Sequence, residues 1–249
     1  MDEFVELFGG VLGAPGQSLA EQYRSKYIAI APSNLVGYYM MAEGSGTTSL
    51  DESAQSNNGV YSGATLGEPG IGDNRTSALY PGSSAYDDLY SAGFIADFSG
   101  AEGSIFFWAK PYAASVWSDS TARAFHYFRV DVNNWVVMEH NGTGTLVFSY
   151  KAGGTNNEGY GTGAGAGWKS YGLTWSAANN RVRMYINGVQ NGSDMTGLGT
   201  WAGSPASNQC VLAAQINGNQ RVWNGWMAHF GIWNTELTAA NMSSLHTIP

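Results

Sequence analysis

The 249-residue chain carries 11 Lys and Arg against 19 Asp and Glu, a net charge of −8 that argues against a nucleic-acid partner, which needs a basic patch. Charged residues are 12% of the chain, half the usual ~25%, while 34 glycines, 9 Trp, 14 Tyr and 10 Phe favour short strands joined by glycine-rich turns. The lone Cys210 excludes an intrachain disulfide, and no apolar run approaches the ~20 residues of a membrane span.

The first 27 residues are not strand-like. Phe4, Val5, Leu7 and Phe8 form an apolar cluster broken by Glu6, with acidic residues where a secretory signal would be basic, so synthesis in a cytoplasm is expected. Beyond the breaker GAPGQ, Ser18 to Glu21 fits a capping box, and Leu19, Tyr23 and Tyr27 recur at helical spacing, which predicts a short amphipathic helix. Residues 1–27 read as an arm too short to fold alone. Through Phe4, Val5, Leu7, Phe8, Tyr23 and Tyr27 such an arm would dock the chain onto a larger assembly, in which it is expected to be oligomeric.

From Ile28 onward alternating patterns predict strands at 36–42, 76–80, 93–98, 104–110, 124–132, 135–140, 145–151, 169–176, 181–187, 209–215 and 226–233. The intervening GGTNNEGYGTGAGAG, residues 153–167, has the composition of a long mobile loop. In RVRMYINGVQNG, residues 181–192, Val182, Met184 and Ile186 should face the core. Arg181, Arg183 and Tyr185 should then face outward, and Asn187-Gly188 should reverse the chain in a type I′ turn.

Six segments, in order, resemble one family. NLVGYYMMAEGSG (34–46) is similar to its opening strand, and LDES (50–53) with NNG (57–59) to its first turn. ALYPG (78–82) and GSIFFWAKP (103–111) resemble two central strands. WKSYGLTW (168–175) with RMYING (183–188), and WNGWMAHFGIWNTELT (223–238), resemble the closing ones. The resemblance is to the laminin-G-like jelly rolls of the concanavalin A-like lectin and glucanase superfamily, and it covers about residues 28–246. It implies an all-β antiparallel β-sandwich jelly roll at 28–249, preceded by the helical or irregular arm at 1–27. The lead-in around Tyr23 to Pro32 also resembles that of such domains in bacteriophage structural proteins. Many relatives hold a structural calcium, for which this chain offers Asp51 and Asn57; the same residues serve equally as turn formers.

Glucanases of this fold carry Glu-x-Asp-x-x-Glu on one strand, and that spacing is absent here. Asp131 and Glu139 stand alone on neighbouring strands, and the histidines at 126, 140, 229 and 246 lack metal-ligand spacing. No catalysis and no required cofactor are expected. Binding remains, and sugar recognition needs an exposed aromatic plane among polar groups. Trp117, Trp135, Tyr160, Trp201 and Trp223 are the candidates, with core packing as the alternative for each. Two functions follow: a virion-located decoration or tail-associated protein, docked by its arm to other virion proteins and binding polysaccharide, or a free-standing or cell-surface carbohydrate-binding module.

Overall fold

The computed structural model describes residues 17–216 and 220–248. The Ser18 hydroxyl accepts the Glu21 amide at 3.2 Å and opens helix α1, Leu19–Ala29. Only half of the expected capping box forms, because the Glu21 carboxylate pairs with Arg75 at 2.6 Å instead of returning to the cap. The strands that follow are β1 Leu35–Tyr39, β2 Thr48–Ser49, β3 Gly59–Ser62, β4 Thr65–Pro69, β5 Thr76–Pro81 and β6 Tyr86–Asp88. After helix α2, Ala92–Asp97, come β7 Glu102–Pro111, β8 Arg123–Asp131, β9 Asn134–His140, β10 Thr145–Ala152 and β11 Thr155–Thr162. The chain closes with β12 Lys169–Ser176, β13 Arg181–Ile186, β14 Val189–Gln190, β15 Cys210–Leu212, β16 Asn224–Trp233 and helix α3, Ala239–His246.

The strands form two sheets of eight, all neighbours antiparallel. The first runs β14-β13-β12-β7-β16-β5-β4, with β1 also on β16; the second runs β11-β10-β9-β8-β15-β6-β3-β2. This is the antiparallel β-sandwich that the resemblance implied. Alternation supplies the core: Val136 and Met138 of β9 and Leu146, Phe148 and Tyr150 of β10 point inward to meet Phe107, Tyr171, Leu173 and Trp175. Cys210 is buried there as a small hydrophobe, and burial pushes its thiol pKa up.

A second core lies on the outer face of the first sheet, beneath α1 and α3. Tyr23 and Tyr27 pack there with Tyr38, Phe106, Trp108, Tyr185, Met242 and Leu245. Tyr27 stacks on Tyr38 with ring centroids 4.3 Å apart. The two helix hydroxyls are both used: Tyr23 donates to the Leu245 carbonyl at 2.5 Å and accepts Trp108 Nε1 at 2.6 Å, and Tyr27 donates to the His229 carbonyl at 2.9 Å. Burying a side chain of this size stabilises by roughly 2–3 kcal/mol. His229 occupies a bulge of β16 with φ +53; its Nδ1 meets the Tyr38 hydroxyl at 2.7 Å and its Nε2 lies 3.0 Å from the buried Asp73 carboxylate. Burial opposes the Asp73 charge, but the His229 contact holds that carboxyl below the usual carboxylate range.

This layer corrects several expectations. Tyr23 and Tyr27 are fully buried in the chain's own core, so they are not available to dock a partner, and a boundary at residue 27 would cut through α1. Phe4, Val5, Leu7 and Phe8 lie outside the described residues. Tyr185 is also buried, because α3 covers the face expected to be wet, while Arg181 and Arg183 pair with Glu236 at 2.6 Å and Asp194 at 2.8 Å. The expected strand at 93–98 is helix α2, Ala92–Asp97, ending at an extended Phe98: the Ser91 hydroxyl caps the turn by accepting the Phe94 amide at 3.0 Å. The glycine-rich 153–167 contains strand β11, reached through Gly153 and Gly154 at φ +54 and +87, values that only glycine adopts freely. Asn187 and Gly188, at φ +51 and +74, make the predicted turn.

Candidate functional site

Among the described residues, helices cover the first sheet and leave the outer face of the second open. Tyr127 of β8, Val137 of β9 and Val211 of β15 give it an apolar floor, flanked by Tyr86, Trp135 and Ile216. The register aligns these residues in cross-strand rows: Tyr127 opposite Val137, Val137 opposite Ser149, and Ser149 opposite Glu158. The adjacent row sets Glu139 beside Val147 and Val147 beside Tyr160. Between the floor and the loop that follows β15 lies a groove of about 250 Å³. That loop contributes Gln215 and Arg221.

Every polar group of the groove is held in place by a neighbour. Trp135 Nε1 donates to the Ser149 hydroxyl at 2.8 Å, which donates in turn to Asn156 Oδ1 at 3.0 Å, so the indole is fixed against β10. Gln215 Nε2 and Arg129 Nη1 both donate to the Tyr127 hydroxyl, at 3.0 and 3.2 Å. Arg221 forms an ion pair with Glu139. Glu158 accepts from Asn156 Nδ2 at 2.7 Å and from the Tyr160 hydroxyl at 2.6 Å, and that carboxylate raises the Tyr160 pKa. The result is an aromatic ring of fixed orientation bordered by hydroxyl, amide and paired charged groups. Such a surface matches a sugar, which presents C–H faces and hydroxyls together.

Of the sequence candidates, Trp135 lines this groove and Tyr160, 58% exposed, stands at its β11 edge. The other three are corrected to packing roles. Trp223 is fully buried with its ring 4.3 Å from Phe125, and Trp117, also buried, ties down the glycine loop through Nε1 to the Gly165 carbonyl at 2.8 Å. Trp201 lies flat on Gly100, where a Cβ would come within 2.0 Å of the indole, and bonds to the Gly203 carbonyl at 3.0 Å. The parity of Tyr127 and Arg129, and of Trp135, Val137 and Glu139, was legible as one face of a hairpin. Gln215 and Arg221 were not, because a separate loop brings them in.

Asp51 and Asn57 do not suit calcium. Asp51 Oδ1 accepts the Tyr38 and Ser53 amides at 2.8 and 2.9 Å, and Oδ2 accepts the Ser53 hydroxyl at 2.8 Å and the Asn57 amide at 2.7 Å. Four donors aimed at one carboxylate leave no lone pair for a cation and would repel it. Asn57 Nδ2 is likewise bound to the Val36 carbonyl at 2.9 Å. Both residues pin a turn. Among the described residues, no three His, Cys, Asp or Glu side chains cluster as metal ligands, and no helix is long and apolar enough to cross a membrane. A smaller cleft of about 150 Å³ near Met40 and Leu50 has its charged groups already engaged, Glu52 with Arg24, Arg75 with Glu21, and Glu43 with the Leu50 amide and the Tyr61 hydroxyl.

The family model described as the concanavalin A-like lectin/glucanases superfamily matches residues 81–243. Comparison with curated proteins finds no match. Among solved structures, the receptor-binding domain of the botulinum neurotoxin C/D mosaic serotype superimposes with a TM-score of 0.65 at 13% identity, over 86% of this chain and 51% of that one. A mutant Trypanosoma rangeli sialidase displaying trans-sialidase activity gives 0.64 at 9% identity, over 92% and 37%. Domain 4 of an extracellular arabinanase from Geobacillus stearothermophilus, in complex with arabinotriose, gives 0.59 at 16% identity, over 86% and 98%. The chain thus spans about half or less of the toxin and sialidase structures, and at these identities the likeness is one of fold.

Proposed function

The chain belongs to the concanavalin A-like lectin/glucanases superfamily, and from that footing we propose that it is a non-catalytic carbohydrate-binding domain whose site is the groove at Trp135. The observation that carries this reading is the fixed indole bordered by Tyr127, Gln215, Ser149, Glu158 and the Arg221–Glu139 pair. The arabinanase domain solved with arabinotriose is a structural neighbour whose ligand is itself a sugar chain. A binding rather than hydrolytic role is supported by the state of the two groove carboxylates: Glu139 is taken by Arg221, and Glu158 by Asn156 and Tyr160.

The test is calorimetric titration with a panel of oligosaccharides, together with a reducing-sugar assay on every glycan that binds. Trp135→Ala should weaken binding at least about ten-fold, equivalent to ~1.4 kcal/mol. Tyr112→Ala, at an exposed ring just past the end of β7 and stacked on Trp226, should leave it unchanged. Binding that survives Trp135→Ala, or release of reducing ends, would refute the reading.

The apolar Phe4, Val5, Leu7 and Phe8, with the lead-in's likeness to bacteriophage structural proteins, support display of this module on a virion as a decoration or tail-associated subunit. The extracellular or cell-surface module is the alternative. Deletion of residues 1–16 separates the two, since it spares α1 and the Tyr23 and Tyr27 anchors. The truncated chain should fold and fail to join its particle, and assembly at wild-type level would remove the virion reading.

A further inference from the structure

The pairing of β8, β9 and β10 places Arg129, Trp135 and Lys151 side by side in one row on the open face, with Trp135 opposite both cations. The Lys151 ammonium lies 4.3 Å from the centroid of the Trp135 ring and donates to the Val132 carbonyl, at 2.9 Å, in the β8–β9 turn. Its side chain therefore reaches from β10 across the indole to the far side of β9. On the other flank Arg129 donates to the Tyr127 hydroxyl at 3.2 Å and to the Asp131 carbonyl at 2.9 Å. Among the described residues neither cation has a carboxylate oxygen within 4.0 Å, whereas Arg24, Arg75, Arg123, Arg181, Arg183 and Arg221 all do. Asp131, in the same turn, directs Oδ1 to the Asn133 amide and to Asn134 Nδ2, at 2.8 and 3.0 Å.

Two positive charges beyond ion-pair distance of any described carboxylate thus bracket the one fixed indole of the groove, in a chain whose net charge is −8. A neutral sugar stacking on Trp135 would have to move the Lys151 ammonium aside, exchanging its contact with the ring and its carbonyl hydrogen bond for bonds to uncharged hydroxyls alone. A sugar bearing an anionic group gives the displaced ammonium, and Arg129 beside it, a partner in the same step. We infer that the groove selects acidic polysaccharide, with Lys151 and Arg129 receiving a carboxylate or sulfate group next to the ring that stacks on Trp135. This inference rests on the carbohydrate-binding reading of the same groove and narrows its ligand class.

The experiment is affinity electrophoresis and calorimetry of the full chain with polygalacturonate and alginate as carboxylate polymers, dextran sulfate as a sulfate polymer, and dextran and arabinan as neutral ones. At least one acidic class should bind ten-fold or more tighter than the neutral polymers, with affinity falling as salt rises from about 50 to 500 mM. The class that binds identifies the anion. Lys151→Met and Arg129→Met should each lower acidic binding about ten-fold while leaving the thermal midpoint within about 2 °C of wild type, and Trp135→Ala should abolish it. Neutral polymers that bind as tightly as acidic ones in a Trp135-dependent manner would overturn the inference and leave the groove reading standing. Acidic binding untouched by both methionine variants would mean nonspecific ion exchange elsewhere, and would also overturn it. Failure of all five polymers to bind would count against the groove itself.

Discussion

His126 and His140 face the interior of the sandwich from β8 and β9, and both are fully buried. Neither ring nitrogen of His126 has a hydrogen-bond partner, and its ring packs among Phe107, Phe128 and Phe230. Burial lowers its pKa from 6.5 to about 3, opposed only in part by the Val136 main chain. For His140, burial and the nearby Arg123 charge lower it to about 4. Each ring is therefore neutral in the folded state at pH 5, while the unfolded chain takes up a proton below 6.5. Because the unfolded state binds more protons, the contribution is whole above pH 6.5 and is lost as pH falls towards the folded pKa. At pH 5, one and a half units below 6.5, the loss is about 2 kcal/mol per histidine, at ~1.36 kcal/mol per unit. That is a large share of the ~5–15 kcal/mol that holds a domain together. The perturbation is His126→Leu, which removes the titration and two unpartnered nitrogens at similar volume. The assay is urea unfolding of variant and wild type at pH 7.5 and pH 5. The variant's stability relative to wild type should improve by about 2 kcal/mol on going to pH 5, whatever its offset at pH 7.5. The difference between the two proteins is the proper measure, because Asp87 pulls the wild-type curve in the opposite direction. A difference constant to within about 0.5 kcal/mol between the two pH values would refute the claim that burial keeps His126 neutral.

Asp87 accepts the Ser49 hydroxyl at 2.7 Å but is otherwise enclosed, and burial raises its pKa to about 8. Its protonated form is favoured by folding, so stability falls as pH rises from about 4 towards 8. Asp87→Asn should gain on wild type by on the order of 3 kcal/mol between pH 5 and pH 8, measured by the same denaturation; no change with pH would contradict the assignment. Trp117→Ala should cost roughly 3–5 kcal/mol, since it opens a cavity against Phe125 and Trp223 and frees the Gly165 tether, yet leave glycan affinity intact. A loss of affinity with little loss of stability would return Trp117 to the binding candidates. Tyr23→Phe removes the hydroxyl shared by Trp108 Nε1 and the Leu245 carbonyl, and should destabilise by about 1–3 kcal/mol. Amide exchange in α3 should accelerate with it; unchanged protection there would show that this hydroxyl does not latch the helix.

Local chemistry was legible wherever a residue's partner lies close in sequence or directly across a strand. The Ser18 cap, the Asn187-Gly188 reversal and the inward facing of Val182 and Met184 all follow from spacing and φ preference alone. The order of motifs determined the antiparallel sandwich, and the single cysteine excluded an intrachain disulfide. Tertiary structure decided which apolar residues face the solvent. Trp117, Trp135 and Trp223 have similar polar or small flanks, but two sit between the sheets and one lies on the open face, a difference set by strand register and by loops distant in sequence. The same holds for Tyr23, Tyr27 and Tyr185, whose faces read as exposed until α1 and α3 fold over the first sheet. The groove is a product of that asymmetry: Arg221 meets Glu139 across 82 positions of chain, and Lys151 meets Trp135 because a strand pairing, not a motif, sets them side by side. Periodicity tells a residue which side of its own strand it faces, and only the packing of the layers determines whether that side is core, covered sheet or open groove.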